Sequence, residues 1–197
     1  MSNQYLLSKP EARVVLEPYA TPFYKAIRDG FSDFAEMQSI KPLVENHAKA
    51  TALWDYILQK IKVLVLNSNG DLKLERKKRM CFLVVKSQIA IKFKKFNKDS
   101  ISANIVTVQV EQFRNHSFEF QSVQLFPMEI GWQVDELYSL AKVDFVSPDG
   151  DGLLWKIEFK EQGNTRNEIF KLESDDIFEE GQTLTPKTGT EDAKTAS

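Results

Sequence analysis

Two carboxylates and an amine are spaced in this sequence as metal-assisted hydrolysis would require. Pro148-Asp149 precedes an apolar stretch that ends in Glu158-Phe159-Lys160. Two carboxylates can hold Mg²⁺, and a lysine can position or stabilise the attacking water, provided that the three groups converge on one point. The pattern would therefore support hydrolysis assisted by a divalent cation.

The order of these residues resembles the PD-(D/E)xK signature of metal-dependent nucleases, but a hairpin would separate them. A turn at residues 150–152 would place Glu158 five residues from the partner of Asp149, about 16 Å away at about 3.3 Å per residue. The same register places Asp144 opposite Glu158, with Lys160 nearby on the same face. Asp144, Glu158 and Lys160 therefore form the better Mg²⁺ hypothesis, although a solvated sheet face with mixed charges has the same composition.

A second candidate site is basic. Cations cluster before the first predicted strand and after the second, with Phe93 and Phe96 between them. Clustered cations can contact phosphates, and exposed aromatic rings can stack on nucleic-acid bases. Lysines on strand edges also block aggregation, so the cluster has a structural explanation as well. The residues of this nucleic-acid-binding hypothesis are Arg76, Lys77, Lys78, Arg79, Lys92, Lys94 and Lys95.

Imidazole and thiol chemistry has few candidates, because the chain has two histidines and one cysteine. His47 falls in the apolar stripe of a predicted helix, which favours a core histidine, and His116 lies in a predicted loop. Cys81 excludes an internal disulfide and is most simply a small core residue. Apart from the acid–amine hypothesis and its Mg²⁺, the sequence predicts no catalytic residue, metal or cofactor.

The elements that would position these residues begin with two helices. Three prolines in the first 22 residues predict an extended entry segment over residues 1–22. Apolar residues then recur at intervals of three and four, which predicts a helix over about 23–38 and a second over about 42–66. Pro42 would lie in the first turn of the second helix.

From Met80 onward the apolar period falls to two, which predicts an antiparallel sheet with one buried and one wet face. Residues 101–113 suit either a strand or a helix. The whole predicts one α+β domain over residues 1–160, with two N-terminal helices packed on a sheet of about five strands. The predicted strands cover residues 80–85, 88–93, 128–134, 141–145 and 153–159.

The composition changes near residue 160. Residues 161–197 carry nine acidic and four basic side chains, a net charge of −5, which leaves +3 for the body because the whole chain carries −2. Few apolar residues remain to offset the ordering entropy, so a mostly disordered acidic tail is expected. The pairs Ile169-Phe170 and Ile177-Phe178 are its candidate partner-binding residues. The tail has the charge to contact a basic surface of its own body or of a partner.

Membrane and export signals are not evident in the sequence. No stretch approaches the roughly 18 apolar residues of a membrane span, and the N-terminus lacks the pattern of a signal peptide. We therefore expect a cytoplasmic protein.

Four runs between residues 42 and 159 resemble an uncharacterised bacterial protein family whose genes often neighbour those of ImmA/IrrE-type zinc metallopeptidases. The runs are FLVVKSQIAIKFKKFNKD, TVQVEQF, MEIGWQVDELYSLAKVDFVSP and LLWKIEF. The resemblance implies a non-catalytic accessory or regulatory protein of a bacterial stress, defence or toxin–antitoxin module. Its partner would be a co-encoded protein, such as a metallopeptidase of that type. The string Glu158-x-Lys160 and the acidic tail depart from the family pattern.

Overall fold

The structure is a computed structural model that describes residues 7–78, 80–102, 107–135, 138–162 and 169–172, with side chains up to residue 159. The described residues form a mixed α+β fold. The helices are α1 (Lys9–Ile40), α2 (Asn46–Leu66) and α3 (Val108–Arg114). The strands are β1 (Leu72–Lys77), β2 (Met80–Val85), β3 (Ile89–Lys95), β4 (Glu119–Phe120), β5 (Val123–Gln124), β6 (Phe126–Val134), β7 (Leu140–Asp149), β8 (Gly152–Gln162) and β9 (Ile169–Leu172).

Helix α1 begins at Lys9, so the predicted extended segment over residues 1–22 is wrong for the residues described. Ser8 and Glu11 form a capping box. The Ser8 Oγ accepts a hydrogen bond from the Glu11 N–H at 3.5 Å, and the Glu11 carboxylate accepts one from the Ser8 N–H at 2.8 Å. Pro10 lies in the first turn, where a helix does not need the backbone N–H that proline lacks.

Pro18 and Pro22 lie inside α1, because the buried face of the helix offsets their cost. A proline in a helix interior costs about 3 kcal/mol or more. Buried residues recur at helical spacing between residues 12 and 34, and each large apolar side chain contributes about 1.5–3 kcal/mol. The Phe23 ring packs edge-on against Phe145 of the sheet, with the ring centroids 6.1 Å apart. Tertiary packing thus allows the helix to continue through both prolines.

Helix α2 begins at Asn46, four residues after the predicted start. The Leu43 N–H donates to Gln38 Oε1 at 3.0 Å, which fixes the connection outside the helix. The two helices approach closely where Gly30 faces Ile57. No helix of the described residues combines the length and apolarity that crossing a membrane requires.

The main sheet has seven strands in the order β1-β2-β3-β6-β7-β8-β9, and all neighbours are antiparallel except β3 and β6. The five predicted strands are present as β2, β3, β6, β7 and β8. The sequence did not predict the edge strands. β1 is rich in charged residues, and β9 lies beyond the predicted domain boundary at residue 160, where it pairs with the end of β8. Residues 163–168 and 173–197 of the predicted tail lie outside the described residues.

The parallel pairing of β3 with β6 requires a crossover, and this crossover covers the second face of the sheet. The segment between the two strands contains α3 and the β4–β5 hairpin. Phe82, Phe113 and Phe118 form a second core there, separate from the core beneath α1 and α2. The prediction of one wet face is therefore wrong in this region. Lys92, Glu129 and Asp144, which alternate with apolar residues along β3, β6 and β7, are buried.

Candidate functional site

The β2–β3 hairpin borders a cleft at the end opposite its turn, where β2 begins and β3 ends. The first turns of α2 and α3 close its sides, and its volume is about 920 Å³. Its lining residues are His47, Ala50, Thr51, Trp54, Lys78, Met80, Cys81, Lys92, Phe93, Lys94, Thr107, Gln109 and Val110. The cleft therefore combines three lysines with apolar and aromatic side chains.

The most buried of these lysines is Lys92, a residue that is only 5% exposed. Its Nζ lies 4.8 Å from the centroid of the Phe113 ring, a cation–π contact. Burial and the neighbouring charge of Lys94 lower the pKa of Lys92 to about 8. Burial also lowers the pKa of Lys94. Both ammonium groups are held where an anion would stabilise them.

The carboxylate on the sheet beside the cleft already has other hydrogen-bonding partners. Among the described residues that line it there is no aspartate or glutamate. The closest counter-charge on the sheet is Glu129, which lies opposite Lys92 in the β3–β6 register and is fully buried. Glu129 accepts a hydrogen bond from Ser102 at 2.7 Å and pairs with Arg114 at 3.3 Å. The cations near this point therefore outnumber the carboxylates.

The pairing of Arg114 with Glu129 also holds one wall of the cleft in place. Arg114 is the last residue of α3, and its guanidinium donates to the carbonyl oxygens of Gly150 and Gly152 in the β7–β8 turn. At the other end of α3, the Thr107 Oγ1 accepts a hydrogen bond from the Val110 N–H at 3.3 Å. The wall is thus fixed to the sheet by a buried ion pair.

The acid pair predicted from the hairpin register is present. Asp144 lies directly opposite Glu158, and Lys142 Nζ contacts both carboxylates, at 3.4 Å and 2.6 Å respectively. Lys156 also contacts Glu158 at 2.8 Å, and Ser100 Oγ donates to Asp144 at 2.8 Å. Hydrogen bonds from Lys142 and Lys156 lower the pKa of Glu158 to about 2, whereas burial raises the pKa of Asp144. Ammonium and hydroxyl groups occupy the positions next to these carboxylates.

The literal motif does not converge. A bulge after Ser147 pairs Asp149 with Gly152, which leaves Glu158 about 20 Å further along β8 at about 3.3 Å per residue. Lys160 lies in β8, and its side chain is outside the described part of the chain. The described residues contain no group of three or more His, Cys, Asp or Glu side chains placed to hold a metal ion.

The predicted basic residues separate into two groups. Lys78, Lys92 and Lys94 meet in the cleft. The others point elsewhere or are not described. Lys77 donates to the Glu119 carbonyl, Lys95 lies 4.9 Å from the centroid of the Tyr138 ring, Arg76 is exposed on the edge strand β1, and Arg79 is outside the described residues.

Two single-residue predictions, those for His47 and Cys81, need correction. His47 is exposed in the first turn of α2 and is not a core histidine, because the buried part of this helix begins at Leu53. Cys81 is half-buried in the cleft wall. His116 lies in a turn, as predicted; it is buried, its Nε2 lies 2.7 Å from the Pro148 carbonyl oxygen, and burial lowers its pKa.

The predicted partner-binding residues of the tail fall on both sides of the described boundary. Ile169 and Phe170 lie in β9, where they pair with Gln162 and Glu161 of β8. Ile177 and Phe178 lie outside the described residues.

Sequence reasoning missed Glu129 and Arg114. Both stand in amphipathic runs, where a charged residue at every second or fourth position normally faces water. Glu129 is flanked by Met128 and Ile130, so only the crossover, which the sequence did not predict, shows that it is buried.

No family model matches the chain, and no match was found among curated proteins or solved structures. The resemblance to the family encoded beside metallopeptidases therefore remains an expectation.

Proposed function

We propose that this chain is a non-catalytic binding protein, and that its cleft receives an acidic segment of a partner protein that also carries an apolar or aromatic residue. The observation that supports the proposal is the combination of three lysines with an apolar surface in one cleft, without a lining carboxylate among the described residues. A charge-assisted hydrogen bond is worth about 1.5–3 kcal/mol, so two or three such contacts would give useful affinity.

The burial of Lys92 favours a peptide over a bare anion as the ligand. Trp54, Met80 and Phe93 offer apolar contact next to Lys94, while Lys92 is nearly inaccessible to bulk water. A ligand that places a carboxylate there would lose its hydration and would need apolar contacts to offset that cost. An acidic segment with an aromatic residue supplies both kinds of contact.

The biological setting of the proposal follows from the resemblance described above. The chain would act as an accessory or regulatory component of a bacterial stress, defence or toxin–antitoxin module in the cytoplasm. Its partner would be co-encoded, such as an ImmA/IrrE-type metallopeptidase.

The test is copurification of the full chain with the product of the neighbouring gene, followed by titration calorimetry. We expect the double variant Lys92→Gln, Lys94→Gln to bind at least about tenfold more weakly, because it removes two charged contacts. The matched control is Lys25→Gln, Lys62→Gln, which removes two charges from exposed helix positions. The absence of a complex at micromolar concentrations, or an equal loss in the control, would contradict the proposal.

Nucleic-acid binding is a second candidate, supported by the position of Trp54 in the same cleft as the three lysines. Stacking of a base on an aromatic ring contributes about 1–3 kcal/mol. However, Arg76, Lys77 and Lys95 do not extend the cleft into a continuous basic stripe. Fluorescence titration with single-stranded oligonucleotides at several salt concentrations tests this candidate. Three phosphate contacts would give a slope of log K against log salt of about −2.

The nuclease hypothesis has less support from the geometry. Lys142 bridges the Asp144 and Glu158 carboxylates, and a metal ion between them would have to displace this ammonium group. If the protein cleaves nucleic acid in the presence of Mg²⁺ and Glu158→Ala abolishes the cleavage, the nuclease hypothesis is correct and the proposed non-catalytic function is wrong.

A further inference from the structure

Strand β1 is one edge of the main sheet. It pairs with β2 on one side, and no strand of the described residues pairs with its other side. Within the described residues, neither Leu74 nor Arg76 makes a backbone–backbone hydrogen bond to any segment other than β2. An edge of this kind presents N–H and C=O groups to which another strand can bond.

The backbone groups of the even-numbered residues of β1 point away from β2. Asp71 and Lys86 stand one position before the first register pair of the two strands, and the Lys86 N–H donates to the Asp71 carbonyl oxygen at 2.8 Å. In an antiparallel pair, residues that bond to the neighbouring strand alternate with residues whose backbone groups point away from it. The Leu72 N–H agrees with this pattern, because it donates to Ser68 Oγ at 3.2 Å and not to β2.

Two side chains of opposite charge, Lys73 and Glu75, lie on one face of this edge. They stand two positions apart in the strand, so they point to the same side of the sheet. Their partners on β2 are the apolar residues Val84 and Phe82. Within the described part of the chain, neither charged side chain takes part in an ion pair or a hydrogen bond. Both charges therefore remain available to a strand that approaches from outside.

A second copy of the chain can pair with this edge so that the opposite charges meet. In an antiparallel pair centred on Leu74, Lys73 of one copy lies opposite Glu75 of the other, and two-fold symmetry creates this contact twice. Leu74 then lies opposite Leu74 of the second copy, and their outward N–H and C=O groups can bond to each other. Backbone bonding and charge thus favour the same register.

The adjacent registers are less favourable. A pair centred on Glu75 would place Glu75 opposite Glu75 and Lys73 opposite Lys77, which are contacts between like charges. A pair centred on Arg76 would extend only one residue to either side, because β1 ends at Lys77. The register centred on Leu74 extends two residues to either side and stays within the strand.

We infer that two copies of the chain associate through their β1 edges, in the register centred on Leu74, and form one continuous sheet across a two-fold axis. Charges on an edge strand block pairing when an approaching strand offers no counter-charge. The charges of β1 instead complement those of a second β1. None of the residues 72–77 lines the cleft, so failure of this inference would leave the proposed ligand site unaffected.

Sedimentation equilibrium of the full chain tests the association. Loading concentrations of about 1–300 µM cover the weak dimers that an interface smaller than about 1,200 Å² can form. We expect a monomer–dimer equilibrium in this range. A monomer at every concentration would overturn the inference.

Charge variants test the register. Lys73→Glu creates two Glu–Glu contacts and Glu75→Lys creates two Lys–Lys contacts, so each variant should raise the dimer Kd at least about tenfold. The double variant Lys73→Glu, Glu75→Lys restores opposite charges and should return the Kd to within about threefold of the original value. The control Lys25→Glu makes the same charge change at an exposed position of α1 and should leave the Kd unchanged. A double variant as weak as the single variants, or an equal effect of the control, would overturn the inference.

Amide hydrogen exchange, followed by nuclear magnetic resonance, locates the contact. The Leu74 N–H should exchange more slowly at concentrations that form the dimer than in dilute solution, because the second copy covers it. The Lys73 N–H points to β2 in both states and should change less. If exchange at Leu74 does not depend on protein concentration, the chains do not pair through this edge and the inference is wrong.

Discussion

Lys92 lies directly opposite Glu129 across the parallel strands β3 and β6, and both side chains are buried. Glu129 is satisfied by Ser102 and Arg114, whereas Lys92 faces the Phe113 ring and the cleft. The carboxylate therefore compensates the lysine only in part. A buried charge with incomplete compensation is costly for folding and useful for binding.

The variant Lys92→Met should therefore be more stable than the original chain. Methionine fills a similar volume beside Phe113, and it removes the desolvation penalty that lowers the pKa of Lys92 to about 8. The difference between 10.5 and about 8 corresponds to about 3 kcal/mol, which is the upper limit of the expected gain. Urea unfolding monitored by tryptophan fluorescence measures it. A loss of stability would show that the ammonium group is well compensated in the fold.

The pH dependence of stability follows from the same shift. The folded pKa of Lys92, about 8, lies below the unfolded value near 10.5. The penalty is therefore fully present below pH 8 and disappears as the pH rises from about 8 to about 10.5. The original chain should gain stability relative to Lys92→Met over this window. If the difference in unfolding free energy between the two proteins stays constant from pH 8 to pH 10.5, this assignment to Lys92 is wrong.

Binding of an acidic ligand should have the opposite pH dependence. Lys92 carries its charge below pH 8, so affinity should be full there and should fall as the pH rises further. Arginine does not lose its proton in this range. Lys92→Arg should therefore lose less affinity than the original chain between pH 7 and pH 9.5, although Lys94, whose pKa burial also lowers, still titrates in both proteins. Calorimetric titrations at pH 7 and pH 9.5 measure the difference, and the same decrease in both proteins would assign the effect to another group.

Much of the sheet could be predicted from local sequence patterns. The register that sets Asp144 opposite Glu158 follows from alternation on both sides of a glycine-containing turn, and the structure confirms it. The bulge at Ser147 could not be predicted in this way, because a shift of one residue in one strand near a turn does not alter the apolar alternation on either side. Local patterns determine the pairing but not its irregularities.

The cleft could not be predicted from the sequence, because its walls come from distant segments. Trp54, Lys78, Lys94 and Val110 are neighbours only because β3 pairs in parallel with β6 and the crossover brings α3 over the sheet. Alternation in β3 indicated that Lys92 and Lys94 share a face. It did not indicate that this face is covered.

The buried ion pair gives a prediction for the wall of the cleft. Glu129→Gln should destabilise the protein by about 3 kcal/mol, because it leaves the Arg114 guanidinium buried without its counter-charge. The double variant Glu129→Met, Arg114→Met should be less destabilised than the sum of the two single variants. Urea unfolding of the original chain, Glu129→Met, Arg114→Met and the double variant measures this coupling. Additive effects would show that the pair acts only as two independent hydrogen-bonding groups.

The contact between the two long helices gives another prediction. A Cβ added at Gly30 would lie 2.8 Å from the Cα and Cγ1 of Ile57. Gly30→Ala should therefore destabilise the protein by about 1–3 kcal/mol, the usual cost of overpacking, even though alanine is the better helix former. Ser32→Ala, at an exposed position of the same helix, is the control and should be neutral or stabilising. Thermal unfolding of both variants distinguishes the outcomes.

The proline at position 18 gives the last prediction, which tests the account of α1. Pro18 is exposed inside the helix and lacks the N–H that would bond to the preceding turn. If packing of the buried face offsets this cost, Pro18→Ala should stabilise the protein, by up to about 3 kcal/mol. Far-ultraviolet circular dichroism should show an unchanged helix content, because the helix already spans this position. A gain of helix content on substitution would mean that residues 9–17 are not helical in the original chain, and the sequence-based expectation of an extended entry would then be correct.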